Sequence, residues 1–343
     1  MPSADPSIQL AHGGGGRLSQ QLIRELLLPA FGPTNGVLHD AAVLSSPGQR
    51  LAFTTDSYVV RPLFFPGGDI GRLAVFGSVN DLAMAGAKPV ALSLSLILEE
   101  GLMIGTLERV IRSIKAAAEQ CGVRVITGDT KVVERGKGDG IYVNTSGIGV
   151  VEHPWPIHPG SVKPGDALLV SGDLGRHGVA VLIAREELGF RSQIKSDLAP
   201  LHGTVQELLD AGLELHCLRD LTRGGLASAV DEIARSAGCA MELEETSIPH
   251  DAVVQSACDL LGLDPLSMTN EGRMLVICPQ NISERALELL KKHNPHATRI
   301  GVVQEPISPT ADINHIHPVS LRNRLGVARP LDLQRGEQLP RIC

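Results

Sequence analysis

The chain has 343 residues, of which 43% are hydrophobic and 20% charged, the composition of a globular protein long enough for two domains. A net charge of -7 and an aromatic content of 3% argue against general nucleic-acid binding, but leave room for a local basic pocket for phosphates. The six cysteines include no Cys-x-x-Cys pair, and neither a signal peptide nor a membrane-spanning apolar run is visible. We therefore expect a cytoplasmic protein with reduced thiols.

The first 36 residues form a glycine-rich N-terminal segment. Its four consecutive glycines, Gly13, Gly14, Gly15 and Gly16, allow main-chain N–H groups to approach an anion, and helical periodicity follows from Leu18 to Leu28. The run lacks the Gly-Lys-Ser/Thr of a Walker loop. A phosphate cradle and a flexible hinge are both compatible with this pattern.

Residues 37–152 predict one α/β domain, because short apolar runs alternate with longer stretches of helical periodicity. Strands are predicted at 37–44, 50–56, 89–98, 123–126 and 141–151, and helices at 69–85 and 106–120. A turn is expected at 135–140, where glycines alternate with charged residues.

A proline-dense linker, 152–160, predicts a domain boundary, and residues 160–328 predict a second, α+β domain. Its predicted strands are 166–170, 240–243, 274–277 and 297–303, and its predicted helices are 178–187, 204–211, 225–237, 251–261 and 283–292. The fold class is thus a two-domain combination of α/β and α+β.

The last segment, 329–343, is rich in Pro, Arg and Gln and ends in Cys343. Such a composition buries little surface, so we expect a flexible tail. The cysteine thiolate is a soft nucleophile, and an exposed thiol is a liability unless it is used. A frayed end that happens to finish in cysteine is the alternative interpretation.

Four aspartates of the first domain, Asp40, Asp56, Asp81 and Asp129, lie at predicted strand ends or within strand-rich sequence. A carboxylate with apolar neighbours is costly unless it binds something cationic. A single such residue is usually a turn or cap, but four beside a glycine-rich loop favour a Mg²⁺–nucleotide site.

Three motifs carry a resemblance to a known group of proteins. They are Thr54-Thr55-Asp56-Ser57, the segment from Gly77 to Pro89, and Asp220-Leu221-Thr222-Arg223-Gly224-Gly225-Leu226. They resemble the PurM-like ATP-binding superfamily, which includes aminoimidazole ribonucleotide synthetase, selenophosphate synthetase and thiamine-monophosphate kinase. The ending Pro340-Arg341-Ile342-Cys343 resembles that of the HypE family of hydrogenase maturation proteins, the carbamoyl dehydratases.

The resemblance implies an architecture and a reaction. The N-terminal domain would be a half-barrel that pairs with a second copy into a β-barrel, giving a homodimer. A carbamoyltransferase, HypF, would load a carbamoyl group onto Cys343. ATP would then drive its dehydration to a thiocyanate, and the cyano group would pass to iron on the HypC–HypD complex for the [NiFe] site of hydrogenase.

The resemblance also implies roles for individual residues. The four aspartates would hold Mg²⁺, while Lys131 and the Gly13–Gly16 amides would hold phosphates. The full nucleotide-binding set is Gly13, Gly14, Gly15, Gly16, Thr55, Asn80, Thr130 and Lys131. Lys131 is otherwise an ordinary solvated lysine, although its place after Gly-Asp-Thr favours phosphate contact.

Removal of the amide protons needs a base, and Glu271 is the first candidate, with His216 as the second. A turn-forming role for Glu271 is an almost equal alternative. Arg223 would stabilise developing charge, whereas Asp220 and Thr222 could simply cap the next helix. We expect structural rather than catalytic roles for three further histidines, namely His39, His177 and His202.

Two other functions fit parts of the pattern. Selenophosphate synthetases carry a reactive Cys or selenocysteine near the N-terminal glycine loop, but this chain has no cysteine before Cys121. A non-catalytic ATP-binding scaffold would use its tail only to dock a partner. ATP hydrolysis that depends on carbamoylated Cys343 would distinguish an enzyme from that scaffold.

Overall fold

The computed structural model describes residues 17–22, 24, 25, 39, 41–46, 48–185, 192–306, 317–331, 333 and 342. Three sets of residues singled out from the sequence, Gly13–Gly16, Asp40 and Cys343, lie outside the described residues. A short helix, α1 (Arg17–Leu22), precedes the first domain.

A five-stranded sheet forms the first domain, in the order β1-β2-β7-β5-β6. Its strands are β1 (Ala42–Ser46), β2 (Gln49–Tyr58), β5 (Lys88–Glu99), β6 (Arg124–Val133) and β7 (Ile141–Val151). Neighbouring strands are antiparallel except β5 and β6, which run parallel and are joined by a helix. A small hairpin, β3 (Phe64–Phe65) and β4 (Gly68–Asp69), links the sheet to the first long helix.

Two helices, α2 (Ile70–Met84) and α3 (Ile104–Gln120), accompany this sheet. The Asp69 side chain begins α2 by accepting hydrogen bonds from the backbone N–H groups of Gly71 and Arg72, at 2.8 and 3.1 Å. Thirteen of the fifteen residues of α2 are buried, because the helix also contacts the second domain. A helix that is apolar on nearly every side is buried on nearly every side. This placement brings Gly77 and Asp81 between the domains.

The opposite face of the sheet is open within one chain. Phe53 and Ile148, which are paired across β2 and β7, are 43% and 42% exposed. The edge strand β6 is exposed along almost its whole length, including Ile126 and Val132. The described strands therefore form an open half-barrel, not a closed barrel.

The second domain is built on a seven-stranded sheet in the order β14-β13-β10-β12-β8-β11-β9. The strands are β8 (Ala167–Val170), β9 (Cys217–Asp220), β10 (Cys239–Glu244), β11 (Met274–Cys278), β12 (Thr298–Pro306), β13 (Val319–Arg322) and β14 (Ala328–Pro330). The helices are α4 (Arg176–Ala184), α5 (His202–Asp210), α6 (Gly225–Ala237), α7 (Ala252–Leu261) and α8 (Ser283–His293). Among the described helices of both domains, none is long and apolar enough to cross a membrane.

The C-terminal segment is more anchored than its composition predicts. Residues 328–330 pair with β13, and Leu331 and Leu333 are buried in the core of the second domain. Ile342 is 3% exposed and packs in the core of the first domain. The expectation of a free tether from residue 329 onward is thus wrong for these residues, because the alternating leucines and the terminal isoleucine find apolar partners.

Candidate active site

A cavity of about 230 Å³ opens between the two domains. Residues of both domains line it: Thr54, Thr55, Asp56, Ser57, Tyr58, Gly77 and Asp81 from the first, and Asp220, Thr222, Arg223 and Glu271 from the second. Four of these side chains are carboxylic acids and one is a guanidinium. The cavity is therefore polar, and its excess of carboxylic acids suits a cation or a ligand that binds together with a cation.

Strand β2 and helix α2 make the first-domain wall. The Thr54 hydroxyl donates a 2.6 Å hydrogen bond to Asp81, which fixes this carboxylate at the cavity. Asp56 accepts a hydrogen bond from the backbone N–H of Ser57, at 2.9 Å. Burial raises the pKa of Asp56, although the nearby Arg223 guanidinium opposes that shift. A bound cation would relieve the same cost of burying charge.

Gly77 is required where α2 crosses β2. A Cβ at this position would overlap the hydroxyl group of Tyr58, so that no larger residue fits without displacing the ring. Tyr58 is buried, and burial together with Asp56 and Asp81 raises its pKa well above the ordinary value. Tyr58 therefore stays protonated and forms part of the cavity floor.

The second-domain wall begins where β9 ends, at Asp220. The chain turns at Gly224 and Gly225, the N-cap and first residue of α6, whose φ angles of +75° and +57° favour glycine. Gly224 is the N-cap of α6 and no side chain caps the helix. Asp220 and Thr222, which the sequence offered as alternative caps of this helix, are not its N-cap residue, and both line the cavity.

Glu271 is the most buried acid of the cavity wall, at 3% exposure. Its backbone N–H donates to the Asp197 carboxylate at 3.2 Å, and its side-chain Oε1 has no hydrogen-bond partner among the described residues. Burial, reinforced by Asp220, Asp197 and Asp56, raises the pKa of Glu271 well above its ordinary range, against the effect of Arg223. A buried carboxyl group with a raised pKa beside a ligand cavity is a candidate for proton transfer.

Asn80 lies behind the cavity rather than in its lining. Its amide donates to the carbonyl groups of Ala199 and Glu271, and its carbonyl accepts from the backbone N–H of Leu201 at 2.7 Å. Asn80 therefore joins the domains and supports the backbone at Glu271. The sequence indicated a nucleotide contact at this position, and the structure gives it a different role.

Asp129, Thr130 and Lys131 lie away from the cavity, on the exposed edge strand β6. Lys131 pairs with the Asp129 carboxylate at 2.8 Å, and this pairing, with the N–H of Thr130, lowers the pKa of Asp129. Two strands separate β6 from β2, so Asp129 lies roughly 14 Å across the sheet from the cavity strand. One chain therefore does not bring Asp129 together with Asp56 and Asp81.

No group of three or more His, Cys, Asp or Glu side chains among the described residues is arranged to hold a metal. The two aspartates of the first-domain wall, Asp56 and Asp81, nonetheless offer the hard oxygen ligands that Mg²⁺ prefers. Thr55 also lines the cavity, where its hydroxyl oxygen accepts a hydrogen bond from the Ser146 hydroxyl at 2.9 Å.

His216, the second candidate base, lies at the other end of β9 from Asp220. Its Nδ1 contacts the buried Asp166 carboxylate at 2.7 Å, and it does not line the cavity. Its position therefore gives no support to a role as base. Sequence reasoning also overlooked Thr54, Tyr58 and Asp197. Of these, only Thr54 belongs to a motif noted beforehand.

The fold and the inter-domain cavity define an AIR synthase related protein. The N-terminal domain of that family matches residues 38–151, and its C-terminal domain matches residues 163–312. The carbamoyl dehydratase HypE of Rhodobacter capsulatus is 46% identical over 347 residues, covering 100% of both chains. The chain belongs to the HypE family of carbamoyl dehydratases.

Two solved structures with matching folds bear the same family name. A structure of HypE in complex with ATP has a TM-score of 0.81 at 44% identity, covering 98% of this chain and 100% of that one. A HypE–HypF complex has a TM-score of 0.84 at 41% identity, covering 91% and 99%. The half-barrel and the α+β domain expected from the sequence are thus the architecture of the family.

Proposed function

We propose that the chain uses ATP to dehydrate a carbamoyl group carried on Cys343, with the phosphates bound in the inter-domain cavity. The supporting observation is the placement of two C-terminal residues: Leu333 is buried in the core of the second domain, and Ile342 is buried in a cluster made mainly of first-domain residues. The final residue, Cys343, is one residue further on. The known ATP complex of a 44% identical relative supports the choice of nucleotide.

The reaction proceeds in two steps, and atoms and charges balance over their sum. The carbamoyl oxygen attacks the γ-phosphorus of ATP as one N–H proton leaves, which releases ADP and gives an O-phosphorylated intermediate. Loss of phosphate and of the second N–H proton then forms the C≡N bond. The sum converts R–S–CO–NH₂ and ATP into R–S–CN, ADP, phosphate and a proton. Phosphorylation is needed because an amide oxygen by itself is a poor leaving group.

The cavity supplies a base and a positive charge for these steps. Glu271 accepts the amide proton, since a buried carboxylate with a raised pKa is a stronger base than one in water. Arg223 stabilises charge that develops on the transferred phosphoryl group. Asp56 and Asp81 would hold Mg²⁺, which neutralises phosphate charge when it is bound.

An intact-mass measurement tests this function. The chain is incubated with HypF, carbamoyl phosphate and ATP. We expect the mass to rise by about 43 Da on Cys343 and then to fall by about 18 Da as water is lost. Without ATP, the mass should remain at the carbamoylated value. A carbamoylated chain that never loses water while ATP is present would contradict the proposal.

We further propose that two copies pair through the open face of the five-stranded sheet. Exposed Phe53 and Ile148 on that face, and Ile126 on the edge strand β6, form an apolar surface that is costly to leave in water. Pairing would cover this surface and remove the sheet edge. It would also bring Lys131 of one copy towards the cavity of the other, which is consistent with its distance from its own cavity.

Mixing two inactive variants tests the shared site. Lys131→Ala and Glu271→Gln chains, mixed one to one through dissociation and reassociation, should recover about a quarter of the parent activity. Half of the dimers are then mixed, and each has one intact site, made of Glu271 from one copy and Lys131 from the other. Light scattering on the parent protein provides the control for dimer formation. A monomeric parent, or a mixture as inactive as its components, would show that the site is not shared.

The partners and the compartment follow from the same proposal. HypF loads the thiol, as the HypE–HypF complex of a 41% identical relative supports. A HypC–HypD complex receives the cyano group, and the Gly13–Gly16 amides contact phosphates. The reaction takes place in the cytoplasm, where the thiol stays reduced.

A further inference from the structure

The carbonyl group of Ile342 accepts a 2.9 Å hydrogen bond from Nε2 of His177, in the first turn of α4. His177 is fully buried, so that this contact is made away from solvent. A backbone carbonyl can only accept, which means that Nε2 carries the proton. The chain thus uses a buried imidazole to hold its penultimate residue.

Ser196 sets the tautomer of that imidazole. Nδ1 of His177 lies 2.8 Å from the Ser196 hydroxyl, whose oxygen accepts a hydrogen bond from the backbone N–H of Leu198 at 3.1 Å. The hydroxyl proton is therefore available to donate to Nδ1, which leaves the ring proton on Nε2. Burial lowers the pKa of His177 against the opposing effects of Asp197 and the Ile342 carbonyl, which favours this neutral form.

Residues from both domains build the surrounding socket. The Ile342 side chain belongs to the same buried cluster as Phe65, Val181 and Leu198. The Phe65 ring meets the imidazole edge to face, with centroids 5.3 Å apart and an interplanar angle of 86°. The backbone N–H of Ser196 donates to the Pro66 carbonyl at 2.8 Å, which ties the second-domain segment to the first-domain hairpin.

The socket is directly connected to the cavity wall. Ser196 contacts the imidazole, and the next residue, Asp197, accepts hydrogen bonds from the backbone N–H groups of Glu271 and Gly272 at 3.2 and 3.1 Å. Consecutive Cα atoms are separated by only 3.80 Å. The imidazole that holds Ile342 and the backbone of Glu271 are therefore bound by two consecutive residues, Ser196 and Asp197.

We propose that His177 is a positioning residue, which holds the Ile342 carbonyl so that the modified terminal cysteine is presented to Glu271. The proposal rests on the proposed function and adds the device that places its substrate. A backbone contact secures the C-terminal residues whatever the state of the thiol, and one hydrogen bond changes the ratio of seated to released chains by only about two- to tenfold. The arm is therefore held for reaction and remains releasable for loading by a partner.

The rate at which iodoacetamide alkylates Cys343 reports how often the C-terminal residues leave the contact with His177, and it does so independently of catalysis. The other five cysteines are all buried, so the terminal thiol is the one expected to react quickly in the folded chain. His177→Leu removes the donor and should increase the alkylation rate about two- to tenfold. His177→Gln has an amide N–H near the position of Nε2 and should restore part of the protection. His202→Leu makes the same change outside the socket and should leave the rate unchanged.

Turnover of ATP by the carbamoylated chain measures positioning. His177→Leu should lower kcat, because the Ile342 carbonyl loses the donor that orients the end of the chain, with KM for ATP unchanged. His177→Gln should recover part of kcat. Ile342→Ala weakens the seating from the other side, because it removes the apolar packing of the Ile342 side chain while the carbonyl and the buried histidine stay in place. It serves as the second variant in case His177→Leu fails to fold. Unchanged alkylation in a folded His177→Leu chain would overturn the proposal, as would unchanged alkylation in Ile342→Ala if His177→Leu does not fold. Faster alkylation with unchanged kcat would also overturn it.

The alkylation measurement and the turnover measurement together separate this inference from the function on which it rests. Should the parent chain never dehydrate its carbamoyl group, the proposed function fails, whereas the alkylation data still decide whether His177 seats the arm. Normal dehydration by the parent together with normal alkylation and turnover in His177→Leu would overturn the role of His177 alone.

Discussion

Replacement of Cys343 with serine is expected to reduce carbamoyl-dependent ATP turnover to background, a loss of at least about three orders of magnitude. The oxygen of serine is a much weaker nucleophile than a thiolate and is a poor carrier for a cyano group. The folded structure should not change, because Leu331, Leu333 and Ile342 retain their buried contacts. The measurements are intact mass, ATP turnover, nucleotide binding and Tm.

Ile342→Val is the matched control for the cysteine change. It retains a branched apolar side chain in the socket and leaves the backbone carbonyl available to His177. This variant should keep most of the activity. A Cys343→Ser chain that still hydrolyses ATP in step with carbamoyl transfer would place the reaction on another residue and refute the role of the terminal thiol.

Glu271→Gln is expected to lower the rate of dehydration by about 10²- to 10⁴-fold, because the amide cannot accept the proton. The same change should raise the free energy of unfolding at pH values above the ordinary pKa of the Glu271 carboxyl group, 4.5. The pKa of Glu271 in the folded chain is raised from its ordinary value of 4.5. Above that pH the carboxyl group ionises freely in the unfolded chain, whereas in the folded chain it must either stay protonated or carry a buried charge, and both cost stability. Stability contributed by the neutral carboxyl is therefore complete below pH 4.5 and is lost as pH rises through the raised pKa.

Thermal unfolding at pH 5 and pH 8 measures this effect. The Tm difference between Glu271→Gln and the parent should be larger at pH 8, and the parent kcat should rise with pH as Glu271 deprotonates. Glu207→Gln is the control of opposite sign, because hydrogen bonds from Lys292 and His293 lower the pKa of Glu207. It should show no such gain. Equal Tm differences at both pH values would contradict the assignment of a raised pKa to Glu271.

Elements with strong periodicity were predictable from the sequence, whereas short ones were not. Strand β7 matches its predicted bounds at 141–151, and α6 matches at 225–237. The four-residue strands β9 and β13 were missed because each mixes apolar and charged residues over too few positions to show a pattern, whereas the equally short β8 is wholly apolar and was predicted. Strand β6 extends well beyond the predicted 123–126, since its continuation is exposed and polar and is held by pairing with β5.

The site was predictable in its residue types more than in its geometry. Asp56, Asp81, Arg223 and Glu271 were candidates from motifs alone, and the fold brings all four to one cavity. Asp129 had the same appearance in the sequence as Asp56, yet it lies on the far edge of the sheet. Position in a strand does not show which face or which edge a side chain occupies until the strand order is known.

By itself the sequence determined the family, the two-domain plan and the presence of a terminal thiol, because these depend on motifs and local periodicity. Only the tertiary structure decided that Glu271 is buried with a raised pKa and that His177 holds the Ile342 carbonyl. Both results arise from contacts between residues far apart in the chain, such as the 165 positions that separate His177 from Ile342. Burial and hydrogen-bond partners are properties of packing, and no local pattern of residues encodes them.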